Sequence, residues 1–307
     1  FFCYRHYLIW LEGYSFFSTL PDFASQYFSI KEGLPGYIGA FLHQFYHIPL
    51  LGAAIQSLLT VIPAFCLGII LIRLFKNPEA ILWVSVIPLA FITYRQFWDF
   101  HLYYTVTADI ASLILMVQTL AVTAFVKPEW KVPERMGNIY LNMALTVVAA
   151  SVSVWFIARD ENGKRTHEEY TRLEYLGENR RWDDILDTVS PKDARTDELK
   201  RAYALLALSE SGLLTEHAFR YGLHGESDFV FTDKISPLCL NYNALFYQCN
   251  DMYNAVIHQA YQQGVQSVTG VSFSSLRRLA DTYIELKDYD LARKYVDILS
   301  HSSCHKA

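Results

Sequence analysis

The sequence predicts an all-α chain in two parts: a polytopic transmembrane helical head over residues 1–158 and an extracytoplasmic domain of stacked helical repeats over residues 159–307. Three observations carry this. The 307 residues are 52% hydrophobic and 15% aromatic, with a mean hydropathy of +0.14, which is apolar for a water-soluble chain. Nearly all the long apolar runs lie before residue 158. Beyond it, apolar residues recur at helical spacing among Asp, Glu, Lys and Arg. The net charge of -5 is mild, and no cluster of Lys and Arg alternates with aromatics, so nucleic acid is not an expected partner.

Taken in order, the chain opens with FFCYRHYLIW, which has neither a basic leader nor a cleavage site. It reads as the tail of a spanning helix whose start lies upstream; SHSSCHKA at the other end also reads as an interrupted chain. Residues 12–48 are too polar to span but rich in Phe and Tyr, and Pro21, Pro35 and Gly36 divide them. Short helices lying flat in the membrane interface are expected there. A helix needs about 20 apolar residues to cross the hydrocarbon. Residues 49–74 meet this, with Pro63 inside, as do 105–126 and 138–158; 80–94 reach it only with RQFW added. The basic short loops, with Arg73, Lys76, Lys127, Lys131 and Arg135, fall on one side by alternation. That side is expected to be cytoplasmic. Residues 12–48, the 95–104 loop and everything beyond 159 then lie on the other face.

The 95–104 loop, RQFWDFHLYY, sets three ionisable groups among aromatics. Arg95 with Trp98, Tyr103 and Tyr104 suits headgroup anchoring, which accounts less well for Asp99 and His101. Asp109 lies about one turn inside an apparent span. There it is either a helix N-terminal carboxylate or a group facing a partner or wet cavity. His43 and His47 stand four apart, a spacing that on one α-helical face could hold a metal. Gln44 occupies the place where a zincin needs Glu, and no third ligand is near, so these are weak metal candidates.

In the second half, SSLRRLADTYIELKDYDLARKYVDILS (274–300) gives two amphipathic stripes. Leu276, Leu279, Ala280 and Tyr283 form one; Leu291, Ala292, Tyr295, Val296 and Leu299 form the other. Large residues packed on a small one at the crossing make a tetratricopeptide-like arrangement. Aligned small positions at Ile185, Ala218, Ala255 and Ala292 give four degenerate helical hairpins, an α-solenoid whose concave face would bind a protein partner. Residues 219–237 interrupt the array, either as a binding loop or as an insertion. Cys3, Cys66, Cys239, Cys249 and Cys304 contain no CxxC pair, and spacing does not settle their pairing. No glycine-rich phosphate loop, nucleophile elbow or clustered metal motif occurs.

GLPGYIGAFLHQFYHIPLLGAAIQSLL, with RRWDDIL and SSLRRLADTYIELKDYDLARKYVDIL downstream, resembles an uncharacterised family of bacterial inner-membrane proteins of the Bacteroidota. Its members have a multi-pass head and a tetratricopeptide-like tail. The resemblance brings no activity with it. The head resembles, more loosely, the GT-C-fold glycosyltransferases that use polyprenyl-phosphate-linked sugars. That likeness implies a site built from acids of the first two external loops: Glu12 or Asp22 with Asp99 as catalytic groups, and Arg95, His101 and Asp109 binding substrate. A divalent cation (Mg or Mn) would hold the lipid phosphate. The first loop lacks the paired acids of that fold, and likeness of architecture is associational. Two readings stand: a membrane glycosyltransferase whose repeats present acceptor, and a non-enzymatic membrane-anchored scaffold for envelope or secretion complexes. The cost of keeping Asp99, His101 and Asp109 near lipid inclines the sequence toward the enzyme.

Overall fold

The computed structural model describes residues 4–29, 33–76, 81–98, 102–125, 130, 138–158, 164–234, 236–267 and 269–302. Every regular element among them is a helix. In chain order these are α1 (Arg5–Tyr14), α2 (Pro21–Ser29), α3 (Gly33–His43), a 3-10 turn (Gln44–His47), α4 (Pro49–Leu74), a second 3-10 turn (Leu82–Val86), α5 (Ile87–Trp98), α6 (Leu102–Thr123) and α7 (Ile139–Ala158). There follow α8 (Lys164–Glu178), α9 (Trp182–Thr188), α10 (Pro191–Thr196), α11 (Glu198–Glu210), α12 (Leu214–His217), α13 (Pro237–Cys249), α14 (Tyr253–Gln266), α15 (Phe273–Glu285) and α16 (Tyr289–Ser300). Two compact units result: unit 1, residues 1–26 with 165–307, and unit 2, residues 27–164. Residues 1–26, grouped with the head by the sequence, cluster instead with the helical half.

In unit 2, α4 packs on α6 and α5 on α7. Pro49 opens α4, where a missing N–H costs nothing. Its 26 residues run about 39 Å, enough to cross hydrocarbon. Residues Pro49–Leu74 and Val106–Thr123 are the two helical stretches long and apolar enough to cross a membrane among the described residues. Core helices of a soluble protein pass the same test, but those are mostly buried, and only 28% of each of these windows is. Leu58, Val61, Phe65 and Ile72 of α4 and Leu115, Val117 and Val122 of α6 are all at least half exposed, an apolar surface of the kind that marks a membrane or protein contact. The four spans expected from sequence are therefore not all seen. Over 80–94 a 3-10 turn precedes α5, whose Pro88 sits in the first helical turn. The resulting 12 residues reach only about 18 Å. In α7 the described apolar run is Tyr140–Val152. The ends of the two basic loops do meet: Lys76 N–H donates to Trp130 O at 2.9 Å, and Arg73 Nη1 donates to Leu120 O at 2.9 Å. Both contacts join the C-terminal ends of α4 and α6.

In unit 1, α1 is held by polar contacts of a kind a lipid-facing helix cannot make. The unpaired N–H groups of its first turn go to one carboxylate of α8: His6 N donates to Glu168 Oε1 at 3.0 Å and Tyr7 N to Glu168 Oε2 at 2.8 Å. His6 Nδ1 lies 2.7 Å from the same Oε1. At the other end Ser274 Oγ donates to Gly13 O (2.8 Å) and Phe273 N to Ser15 O (3.0 Å). Arg5–Tyr14 thus forms a packed helix of unit 1.

The rest of unit 1 is a series of helix pairs with one shared turn. α8, α11, α13 and α15 each end on a left-handed residue, at Arg180 (φ 53°), Gly212 (φ 72°), Asp251 (φ 54°) and Lys287 (φ 59°). After each, the next N–H reaches back five residues: Arg181 to Leu176 O, Leu213 to Leu208 O, Met252 to Tyr247 O and Asp288 to Tyr283 O, all within 2.8–2.9 Å. This is the Schellman closure that satisfies a helix's last carbonyls. Only Gly212 adopts the conformation without a Cβ penalty. Counting from these turns, Ile185, Val256 and Ala292 share a position, and all three are buried. Two of the positions aligned from sequence differ from this count by one residue: Ala255, which is half-buried, and Ala218, which is buried although the count falls on His217. Of the predicted stripes, Leu276, Leu279, Ala280, Ala292 and Tyr295 are buried, whereas Leu291 and Val296 are 37% and 48% exposed. The core gathers Leu173, Leu176, Tyr203, Leu206, Tyr242 and Leu245. Tyr242 stacks edge-on against Tyr203 (4.9 Å) and donates to Ala202 O at 3.0 Å. The 219–237 connection is pinned rather than loose: Asp228 Oδ1 pairs with Arg201 Nε at 2.8 Å, and Phe231 exchanges two hydrogen bonds with the Asn243 amide.

Candidate functional site

The candidate site is a cavity of about 230 Å³ within unit 1, walled by α1, α8, α13 and α15. Side chains fix it at long sequence range. On α8, Glu174 and Glu178 stand four apart on one face, a like-charge pair that an isolated helix disfavours. Tertiary partners resolve the conflict: Arg278 Nη2 of α15 donates to Glu178 Oε1 at 3.0 Å, and Asn241 Nδ2 of α13 donates to Glu174 Oε1 at 2.7 Å. Arg278 itself is buried, with Nη1 directed at Asn241 O (3.5 Å).

Two acceptor atoms remain over. Glu174 Oε2 and Asn241 Oδ1 are buried with no hydrogen bond. Burial drives the Glu174 carboxyl well above the usual carboxylate range, and the Glu178 charge adds to it; Arg278, Asn241 and the Trp10 indole pull the other way. Trp10 favours the charged form without making a well-formed bond to Oε2. At the rim Arg277 Nε lies 3.7 Å from Asp281, and burial pushes the Cys249 thiol up to about 11, which makes it a poor nucleophile. The arrangement offers charge and hydrogen-bond complementarity and displays no activated nucleophile. No group of three metal-ligating side chains occurs among the described residues.

Of the candidate site residues whose side chains are described, Glu12 reaches this cavity, as a buried carboxylate of α1. Asp22 is exposed in the first turn of α2, also in unit 1. Asp99 and His101 lie outside the described residues, and Arg95 is described only as backbone of α5. Asp109 and His43 belong to unit 2, where both are fully buried. Tyr46 links them: its ring lies 5.2 Å from that of His43, and its phenol is raised by burial and then by the Asp109 charge. It packs directly on α4, where a Cβ at Gly52 would meet it at 3.1 Å, and it donates to Gln56 Oε1 (3.0 Å). Burial lowers His43 to about 3, so it is neutral. His47 does not join it. α3 ends at His43 and continues as a 3-10 turn, whose threefold winding carries position i+4 off the shared face. His47 is exposed, its Nδ1 2.6 Å from Gln44 O, so the i, i+4 pair does not form a two-histidine metal face.

The profile of a family of unknown function, DUF6057, matches residues 1–159 and 130–307, which together cover the chain. The chain belongs to DUF6057. No curated protein and no solved structure matches it. Within this DUF6057 chain, Glu174, Glu178, Asn241 and Arg278 are the site residues that sequence reasoning missed. The signal available was the Glu174–Glu178 pair together with an arginine beside the Leu276–Leu279 stripe. Neither shows its partner in one dimension, because Asn241 is 67 residues from Glu174 and Arg278 is 100 from Glu178.

Proposed function

We propose that this DUF6057 chain is a membrane-anchored binding protein, whose unit 1 is a tetratricopeptide-like module recognising a protein partner through the α1–α8–α13–α15 cavity. The observation that carries it is that cavity: a preformed site with two buried acceptors left for a ligand to satisfy. The four matching left-handed turns support the repeat reading. The outward apolar faces of α4 and α6 support a membrane location. We place the chain, as a multi-pass protein, in a bacterial inner membrane, with unit 1 in the periplasm and the basic Arg73 and Lys76 loop taken as cytoplasmic.

A second reading, the GT-C-like glycosyltransferase acting on a lipid-linked sugar, draws support from Asp109, a fully buried carboxylate on an apolar helix. It would use Asp99 with Glu12 or Asp22, and a divalent cation. Glu12 is committed to the unit 1 cavity and Asp22 is exposed, which favours the binding role.

Gene deletion with profiling of surface glycans and lipid-linked sugars separates the two, run beside Tyr175→p-benzoylphenylalanine for photocrosslinking from the cavity wall. The binding reading expects unchanged glycans and a discrete crosslinked partner. Loss of a glycan, reproduced by Asp99→Asn at normal protein level, would overturn it.

A further inference from the structure

We infer that the unit 1 cavity receives a cationic side chain, an alkylammonium or guanidinium group of a partner polypeptide, with Glu174 and Asn241 as its acceptors; this rests on the reading of unit 1 as a binding module. The two oxygens without partners, Glu174 Oε2 and Asn241 Oδ1, belong to side chains joined by the Asn241 Nδ2–Glu174 Oε1 bond at 2.7 Å. Both residues line the cavity, and both are more than nine-tenths buried. Acceptors in that condition call for a donor, and a group with several N–H bonds on one positive charge serves both.

The charges in the wall point the same way. Of its cations, Arg278 is engaged by Glu178 and the Asn241 carbonyl, Arg277 by Asp281 and His6 by Glu168, while Arg180 is exposed to solvent. The acids Glu12, Glu174, Glu178 and Asp281 outnumber the arginines Arg180, Arg277 and Arg278 in the lining, and a cation seated at Glu174 would favour the ionised carboxylate that burial otherwise disfavours. Trp10 and Tyr175 also line the wall and present aromatic surface to an alkyl stem or a cation. At about 230 Å³ the space falls below the ~300–1,000 Å³ of sites for drug-sized ligands. It suits one side chain and excludes a lipid-linked sugar.

The test is calorimetric titration of the full chain in lipid nanodiscs with Nα-acetyl-lysine amide, its neutral isostere Nα-acetyl-norleucine amide, and cadaverine. The lysine amide is expected to bind at least tenfold tighter than the norleucine amide, and Glu174→Gln to lose at least tenfold of that affinity. Asn241→Ser serves as a second variant, with circular dichroism confirming that each folds. Cadaverine binding as tightly as the lysine amide would assign the ammonium to a free amine; weaker binding would assign it to a polypeptide. Equal binding of lysine and norleucine amides, no binding of the lysine amide at millimolar concentration, or unchanged affinity in Glu174→Gln overturns the inference. If Tyr175 still captures a partner in that case, the binding module stands and only its ligand chemistry falls.

Discussion

Unit 1 and unit 2 are both built of helices, yet they dispose of their side chains in opposite ways. Unit 1 buries Leu173, Leu206 and Tyr242 and turns its charges outward. Unit 2 turns Phe65, Leu115 and Val147 outward and buries Asp109 and His43. The backbone solution is the same, since a helix satisfies its own amides in any solvent. On the proposed membrane location of unit 2, the difference follows from the surroundings: in water the apolar side chains gain by leaving solvent, whereas against lipid that gain disappears and the polar groups seek each other. Two of the charges that unit 1 buries are paired, in Arg201–Asp228 and Arg278–Glu178, while Glu174 is held by the Asn241 amide.

The largest effect that would test this contrast is at the buried pair. Asp228→Ala leaves the Arg201 guanidinium buried without its carboxylate, and about 3 kcal/mol of unit 1 stability should go, read as a shifted denaturant midpoint. The pH dependence follows. Burial pushes the Asp228 carboxyl up, but the His224 and Gly225 N–H groups and Arg201 outweigh it and hold it below the usual range. Its folded value is therefore lower than its unfolded value of about 3.9. The stabilisation is fully present above that unfolded value and disappears as pH falls through the folded one. The difference in stability between wild type and Asp228→Ala should narrow below about pH 4.

Next comes a matched pair of surface changes. Phe65 in unit 2 and Val265 in unit 1 are 67% and 78% exposed. If both faced water, Asp at either would change stability by less than about 0.5 kcal/mol. With lipid around α4, Phe65→Asp should cost about 3 kcal/mol and Val265→Asp almost nothing, measured by unfolding in nanodiscs. Equal, small effects would break the contrast between the units.

The smallest effect tests the shared turn. Lys287 holds φ 59° and Gly212 holds φ 72°. Lys287→Gly should gain about 0.5 kcal/mol by relieving the left-handed strain, and Gly212→Lys should lose about 1 kcal/mol by imposing it. Effects of the same sign at both would dissolve the equivalence of the turns.

The sequence by itself determined what depends on neighbours along the chain. Helical class, the long apolar helix α4, and the buried Leu276, Leu279, Ala292 and Tyr295 all follow from periodicity and run length, which local side-chain chemistry writes directly. Interrupted elements were harder. α5 is cut short at Pro88, and α3 tightens at His43 so that His47 parts from it, changes of a residue or two that a pattern averaged over a window cannot resolve. Tertiary structure alone decided that α1 docks against α8 and α15, that Glu174 meets Asn241, and that Arg278 meets Glu178. These contacts join residues 67 to 261 apart. What selects them is the joint requirement that buried amides, carboxylates and guanidinium groups find partners, a condition on the whole packed unit and not on any segment of it.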